Sequence, residues 1–161
     1  MGALALFTDG SAHPPTGVGF AAYFADRDTH RTQPPAIEEI VTKRFEATSA
    51  ARLELSAFLW ALAEVGDDAN NATVYTDSQT IAGLLDRRER LEQTEFKSKA
   101  GRPLNNHTLY RAFYRSWDRW QFSVVKLAGH ISNVSSSLPQ QTFTRVDQAA
   151  RRALRDELSL R

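Results

Sequence analysis

The sequence predicts an α/β domain built on one mixed sheet with helices on both its faces, and three observations carry that reading. Three strand-like segments come first. Helical and strand-like segments then alternate through the rest of the chain. Two apolar runs, LALFTDGSA at 4–12 and TVYTDSQT at 73–80, each run into an aspartate, and open α/β sheets gather their functional groups at the carboxyl ends of strands.

Residues 3–8, ALALFT, read as a short buried strand. A turn rich in Pro and Gly follows at 13–19, then a second apolar run, FAAYFA at 20–25. The segment IEEIVTKRFEA at 37–47 places β-branched and aromatic residues at strand spacing and completes an antiparallel meander. The period then changes. Apolar residues at 53, 55, 58, 59, 62 and 65 follow helical spacing, with Ser49 as N-cap and Gly66 as stop. TVYTD at 73–77 returns to strand, and residues 78–91 form a helix capped by Ser78. Residues 104–120 read as a third helix and 121–130 as a strand running into a loop. The last helix spans 143–158, with Phe143, Val146, Ala150 and Leu154 on one stripe. Trp117 and Trp120 read as core, and the Ser- and Pro-containing stretch at 133–141 as mobile.

One domain over residues 1–161 fits this length. Lys+Arg 20 against Asp+Glu 19 leaves a net charge of +1, so bulk charge names no partner. The absence of cysteine excludes disulfides and thiolate metal sites. Any metal must therefore be a hard cation held by oxygen or imidazole. No apolar stretch is long enough to span a membrane, and no basic segment precedes the first apolar run, so a cytoplasmic protein is expected.

Asp9 and Asp77 stand at the expected carboxyl ends of two strands. If those strands are parallel neighbours, two anions converge there, and their mutual repulsion is relieved most simply by a divalent cation. Glu54 lies between Leu53 and Leu55 in the first helix, where a charge needs a partner. Asp147 is expected at the start of the last helix, beside Val146. Each acid alone has an ordinary explanation as a turn former, an exposed helix residue or a first-turn acid. Their joint pattern does not.

TDGS at 8–11, RLEL at 52–55, TDSQ at 76–79, KLAGH at 126–130 and RVDQAAR at 145–151 resemble, in order, the motifs of ribonuclease H type 1. The resemblance covers almost the whole chain. It implies a five-stranded mixed sheet, three antiparallel strands followed by two parallel ones, and hydrolysis of the RNA strand of an RNA–DNA hybrid to 3′-hydroxyl and 5′-phosphate ends. It implies Asp9, Glu54, Asp77 and Asp147 as ligands of two Mg²⁺ ions, which Mn²⁺ can replace, and His130 as an auxiliary proton shuttle. It further implies Gly10, Ser11, Ser49, Arg52, Ser78, Gln79 and Asn106 as substrate contacts. Residues 86–110 resemble the family's basic handle, with Lys97, Lys99 and Arg102 as its phosphate contacts. The implied partner is hybrid nucleic acid, bound by a monomer with no membrane and no obligate protein partner.

Two departures stand out. Ala50 and Ala51 replace asparagines that the family often has before its R-x-E motif, and alanine side chains cannot hydrogen-bond the 2′-hydroxyl that marks RNA. The segment between His130 and Asp147 is longer than in the commonest members, and residues 131–142 are expected to form a mobile loop near the site. A same-fold nuclease acting on double-stranded RNA or structured DNA, and a catalytically silent nucleic-acid-binding module, are the alternatives.

Overall fold

The computed structural model describes residues 3–128 and 137–161. Strands β1 (Ala5–His13), β2 (Val18–Asp26) and β3 (Val41–Phe45) form the antiparallel meander. Helix α1 (Ala50–Val65) then leads to β4 (Thr73–Thr76), α2 (Gln79–Ala82), α3 (Leu84–Gln93), α4 (His107–Trp120), β5 (Ser123–Lys126) and α5 (Leu138–Ser159). The five strands lie in the order β3-β2-β1-β4-β5, with β1 parallel to β4 and β4 parallel to β5. The expected five-stranded mixed sheet is therefore present.

Because side chains alternate across a strand, successive residues of the central strand β1 feed two separate cores. Leu6 joins Val74 beneath Leu55, Phe58 and Leu62 of α1 and Phe113 of α4. Phe7 faces the other way and joins Ala22 and Phe24 beneath Phe143, Val146 and Ala150 of α5. Helices thus cover both faces. Trp117 and Trp120 belong to the first core, and their indole N–H groups donate to the Phe122 carbonyl (3.0 Å) and to Asp67 Oδ1 (3.2 Å).

Several element boundaries differ from those the sequence predicts. The run at 37–47 is divided: Ile37–Glu39 is a 3₁₀ turn, where the Ala36 N–H donates to Glu39 Oε2 (2.8 Å), and only Val41–Phe45 is strand. The helix expected over 78–91 breaks at Gly83 into α2 and α3. The third helix starts at His107 rather than 104. Helix α5 begins at Leu138, five residues before the expected start. Ser137 caps it by accepting the Gln140 N–H (3.3 Å), and Pro139 sits in its first turn, where a missing N–H costs nothing. So Asp147 lies well inside a long helix, not at its start. Residues 138–142 of the expected mobile loop are helical, and 131–136 lie outside the described residues.

The close approach of α1 to the meander depends on two glycines. A β-carbon on Gly19 would lie 2.6 Å from Leu53 Cδ2, and one on Gly10 2.9 Å from Leu53 Cγ. Leu53 is fully buried, so it has no room to retreat. Gly19→Ala should cost about 1–3 kcal/mol in denaturant unfolding through overpacking. In a Leu53→Ala background the same change should cost much less, a coupling that a double-mutant cycle reads directly.

Candidate active site

Asp9 is the fifth residue of β1 rather than its last, so the expectation that it ends the strand is corrected. Its position is still a strand-end position in one respect. The parallel ladder between β1 and β4 stops at Phe7↔Tyr75, whereas β1 continues to His13 paired only with β2. The reason is that β4 is only four residues long, so the sheet beyond it is open. Asp9 points to the same face as Phe7, the α5 side, and is 8% exposed.

Asp77 directly follows β4 and is held there from both sides. The Ser78 N–H donates to Thr76 Oγ1 (3.1 Å), and the Ser78 hydroxyl accepts the Ile81 N–H (3.2 Å) as the cap of α2. Asp77 therefore sits at the sheet's open end, between its two faces. Glu54, half-buried on α1, approaches from one face: its carboxylate accepts a hydrogen bond from Ser78 and feels the charge of Asp77. Asp147 approaches from the other face on α5 and is hydrogen-bonded to Asp9. The four acids form a continuous electrostatic chain, Asp147 to Asp9 to Asp77 to Glu54.

The consequence falls hardest on Asp9. Burial first, then the Asp77 carboxylate, then the hydrogen bond to Asp147 push its pKa from 3.8 up to about 9, against a backbone hydrogen bond from Gly10 that lowers it. Asp9 is thus the acid whose charged form the cluster disfavours most. Burial, followed by Asp77, also raises Glu54, while Ser78 opposes the shift. Among the described residues, no three His, Cys, Asp or Glu side chains stand close enough to hold a metal ion without rearrangement. The donor chemistry nevertheless fits a hard divalent cation: the acids offer only oxygen, and a cation would offset the burial and repulsion that disfavour the Asp9 charge.

The other expected residues divide into groups. Asn106 joins Glu54, Ser78, Ala51 and Tyr110 around a pocket of about 70 Å³ beside the acids. Gln79 is exposed at the start of α2, and Ser49 and Arg52 are exposed at the start of α1, where the Ser49 hydroxyl accepts the Arg52 N–H (3.2 Å). Gly10 lies against Leu53, and Ser11 continues β1 beyond it. Ser78 is buried and hydrogen-bonded to Glu54. Lys97, Lys99 and Arg102 are exposed on the turn between α3 and α4, away from the acids in sequence and joined by an isolated Lys97↔Pro103 bridge. Arg88, in the same basic-looking segment, is committed elsewhere: it holds Asp118 through both oxygens (2.6 and 2.8 Å) and Glu92 (2.8 Å). His130 lies outside the described residues.

Sequence reasoning missed Gln140. Its buried side chain donates from Nε2 to the Ala128 carbonyl (2.9 Å), tying the end of the β5 segment to the first turn of α5. A buried polar residue inside an unrecognised helix start gave no signal.

The chain matches the ribonuclease H family over residues 1–155. It belongs to that family, whose enzymes hydrolyse the RNA of RNA–DNA hybrids and generally use divalent metal ions. No curated protein matches the sequence. Among solved structures, the solution structure of the prototype foamy virus ribonuclease H domain superposes with a TM-score of 0.75 at 15% identity, covering 93% of each chain. The foamy viral protease-reverse transcriptase in complex with RNA/DNA hybrid gives 0.73 at 17% identity, over 93% of this chain and 20% of that one. The same enzyme in complex with double-stranded DNA gives 0.66 at 15% identity, over 92% and 94%. At such identities these likenesses speak for the fold. No helix among the described residues is long and apolar enough to cross a membrane.

The raised pKa of Asp9 has a signed consequence. Its stabilising contribution is complete below its unfolded value near 3.8 and is lost as pH rises through about 9. In EDTA, this group should make thermal stability fall across that window, and added Mg²⁺ should flatten the fall. Asp9→Asn should raise the melting temperature in EDTA at pH 8, by about 2–4 °C for each kcal/mol of repulsion relieved. Melting curves across pH, with and without Mg²⁺, check both outcomes.

Proposed function

We propose that the protein is an Mg²⁺-dependent endonuclease that cuts the RNA strand of RNA–DNA hybrids and leaves 3′-hydroxyl and 5′-phosphate ends. The observation that supports this reading is a chain of pairwise interactions beside one open strand end, Asp147 with Asp9, Asp9 with Asp77 and Asp77 with Glu54. Asp9, Asp147, Glu54 and Asp77 would hold the ions, with Asp9 serving both, Asp147 from the α5 side and Glu54 and Asp77 from the other. When bound, two divalent ions supply activation of the attacking water and charge stabilisation for the leaving oxygen. Mn²⁺ replaces Mg²⁺ at the same oxygen donors.

The chain's own residues do the rest. The acids fix where phosphate can sit, and Ser78 holds Glu54 in place. Asn106 and Gln79 meet the nucleic acid beside the cut, with Ser49, Arg52, Gly10 and Ser11 around the entrance. His130 carries a proton during product release and assists turnover without being indispensable. Lys97, Lys99 and Arg102 hold the backbone at a distance. The proposal includes a cytoplasmic monomer with no obligate protein partner.

One observation favours broader substrate choice. Ala50 and Ala51 stand at the exposed start of α1, with no side-chain donor for a 2′-hydroxyl. Double-stranded RNA and structured DNA are therefore the competing substrates. A catalytically silent module is disfavoured, because a binding surface for polyanions gains nothing from four clustered acids.

A labelled hybrid, with RNA duplex and DNA duplex alongside, tests the reading. Cleavage should be confined to the RNA strand of the hybrid and abolished by EDTA. Asp77→Asn should lower it at least about 100-fold, whereas His130→Ala should slow turnover and leave it measurable. EDTA-resistant cleavage, or equal cutting of single-stranded RNA, would contradict it. Separately, Lys99→Ala and Arg102→Ala should each weaken hybrid binding and reduce its salt slope by about one, measured by fluorescence anisotropy across a salt series.

A further inference from the structure

Asp147 has a second partner besides Asp9. One turn along α5, Arg151 Nε donates to Asp147 Oδ1 at 3.0 Å. An aspartate and an arginine four residues apart on a helix form an ordinary stabilising pair, and most such pairs do nothing else. This one differs in the company its carboxylate keeps. Asp147 is only 18% exposed and belongs to the chain of acids, whereas the Arg151 side chain is 51% exposed and reaches in from solvent. The pair therefore sets a permanent positive charge against one end of an otherwise anionic cluster.

We propose that Arg151 is a placeholder cation: it neutralises Asp147 until a divalent ion binds, and then gives way to it. The inference rests on the reading of Asp147 as a metal ligand. Three features support it. The guanidinium meets the carboxylate directly, Nε to Oδ1 at 3.0 Å, so it occupies an oxygen that an ion would use. Its side chain is half-exposed, so water can solvate the guanidinium when the carboxylate turns to an ion. And a divalent ion bound to Asp147 would lie close to a like charge unless the arginine moved, so the pair and the ion compete for one carboxylate. Arg151 is thus a positioning residue acting through Asp147. It restrains cation affinity while keeping the acid cluster together, a role distinct from the phosphate contacts proposed for the α3–α4 turn.

Isothermal titration of Mg²⁺ and of Mn²⁺, with no nucleic acid present, separates this role from a merely structural one. Wild-type protein, Arg151→Met and Arg151→Lys are compared, together with melting temperatures in EDTA and in saturating Mg²⁺. Arg151→Met should bind the ion about two- to fivefold more tightly than wild type. Its melting temperature should fall in EDTA but approach wild type in Mg²⁺, and Arg151→Lys should restore wild-type affinity. Unchanged or weaker ion binding by Arg151→Met, with wild type binding normally, would overturn the placeholder role. Failure of the wild-type protein itself to bind either ion would overturn the metal reading, and the inference with it.

Discussion

Repulsion among carboxylates that the fold will not let separate is the constraint on which the rest depends. Asp9 is buried in the middle of the central strand, Asp77 is fixed by the turn into α2, and Asp147 is carried on a helix packed across the sheet. None can withdraw without disturbing an element of the core. The strain shows in Asp9, whose pKa is pushed up to about 9 by burial and by its acidic neighbours. Such a cluster costs the fold stability when no cation is bound, and a cation held there would recover it. Function and local instability therefore have one source.

The scaffold delivers the acids through shape more than through charge. Because β4 is short, the sheet opens beyond Phe7↔Tyr75, and both faces become reachable from one point. Leu53, seated against Gly10 and Gly19, brings the start of α1 close to the meander and so brings Glu54 to the opening. Ser78 joins Glu54 to the cap of α2, while Gln140 ties the β5 end to the start of α5. Each contact is small. Together they bring acids from distant parts of the sequence to one place.

Much of this was legible in the sequence, for particular reasons. The meander and α1 follow from hydrophobic period, and both Ser49 and Gly66 cap α1 as the sequence predicts. Boundaries failed where a local signal pointed the other way. Pro139 looks like a loop residue but occupies a first helical turn, so the sequence predicts a shorter α5 with Asp147 near its start. Ser11, Ala12 and His13 carry no strand signature, yet they extend β1 because β2 pairs with them throughout. The order of the motifs is what singles out the four acids as candidates. Spacing alone could not say that α1 and α5 reach the same strand end from opposite faces. In the handle-like segment, Arg88 is locked onto Asp118 and Glu92, whereas Lys99 and Arg102 are exposed.

Anomalous scattering from Mn²⁺-soaked crystals tests the central claim most directly. The account predicts manganese density at the open end of β4, with carboxylate oxygens of Asp9, Glu54, Asp77 and Asp147 turned inward around it. Density elsewhere, or a bound ion that leaves Asp9 outside its coordination, would contradict the account.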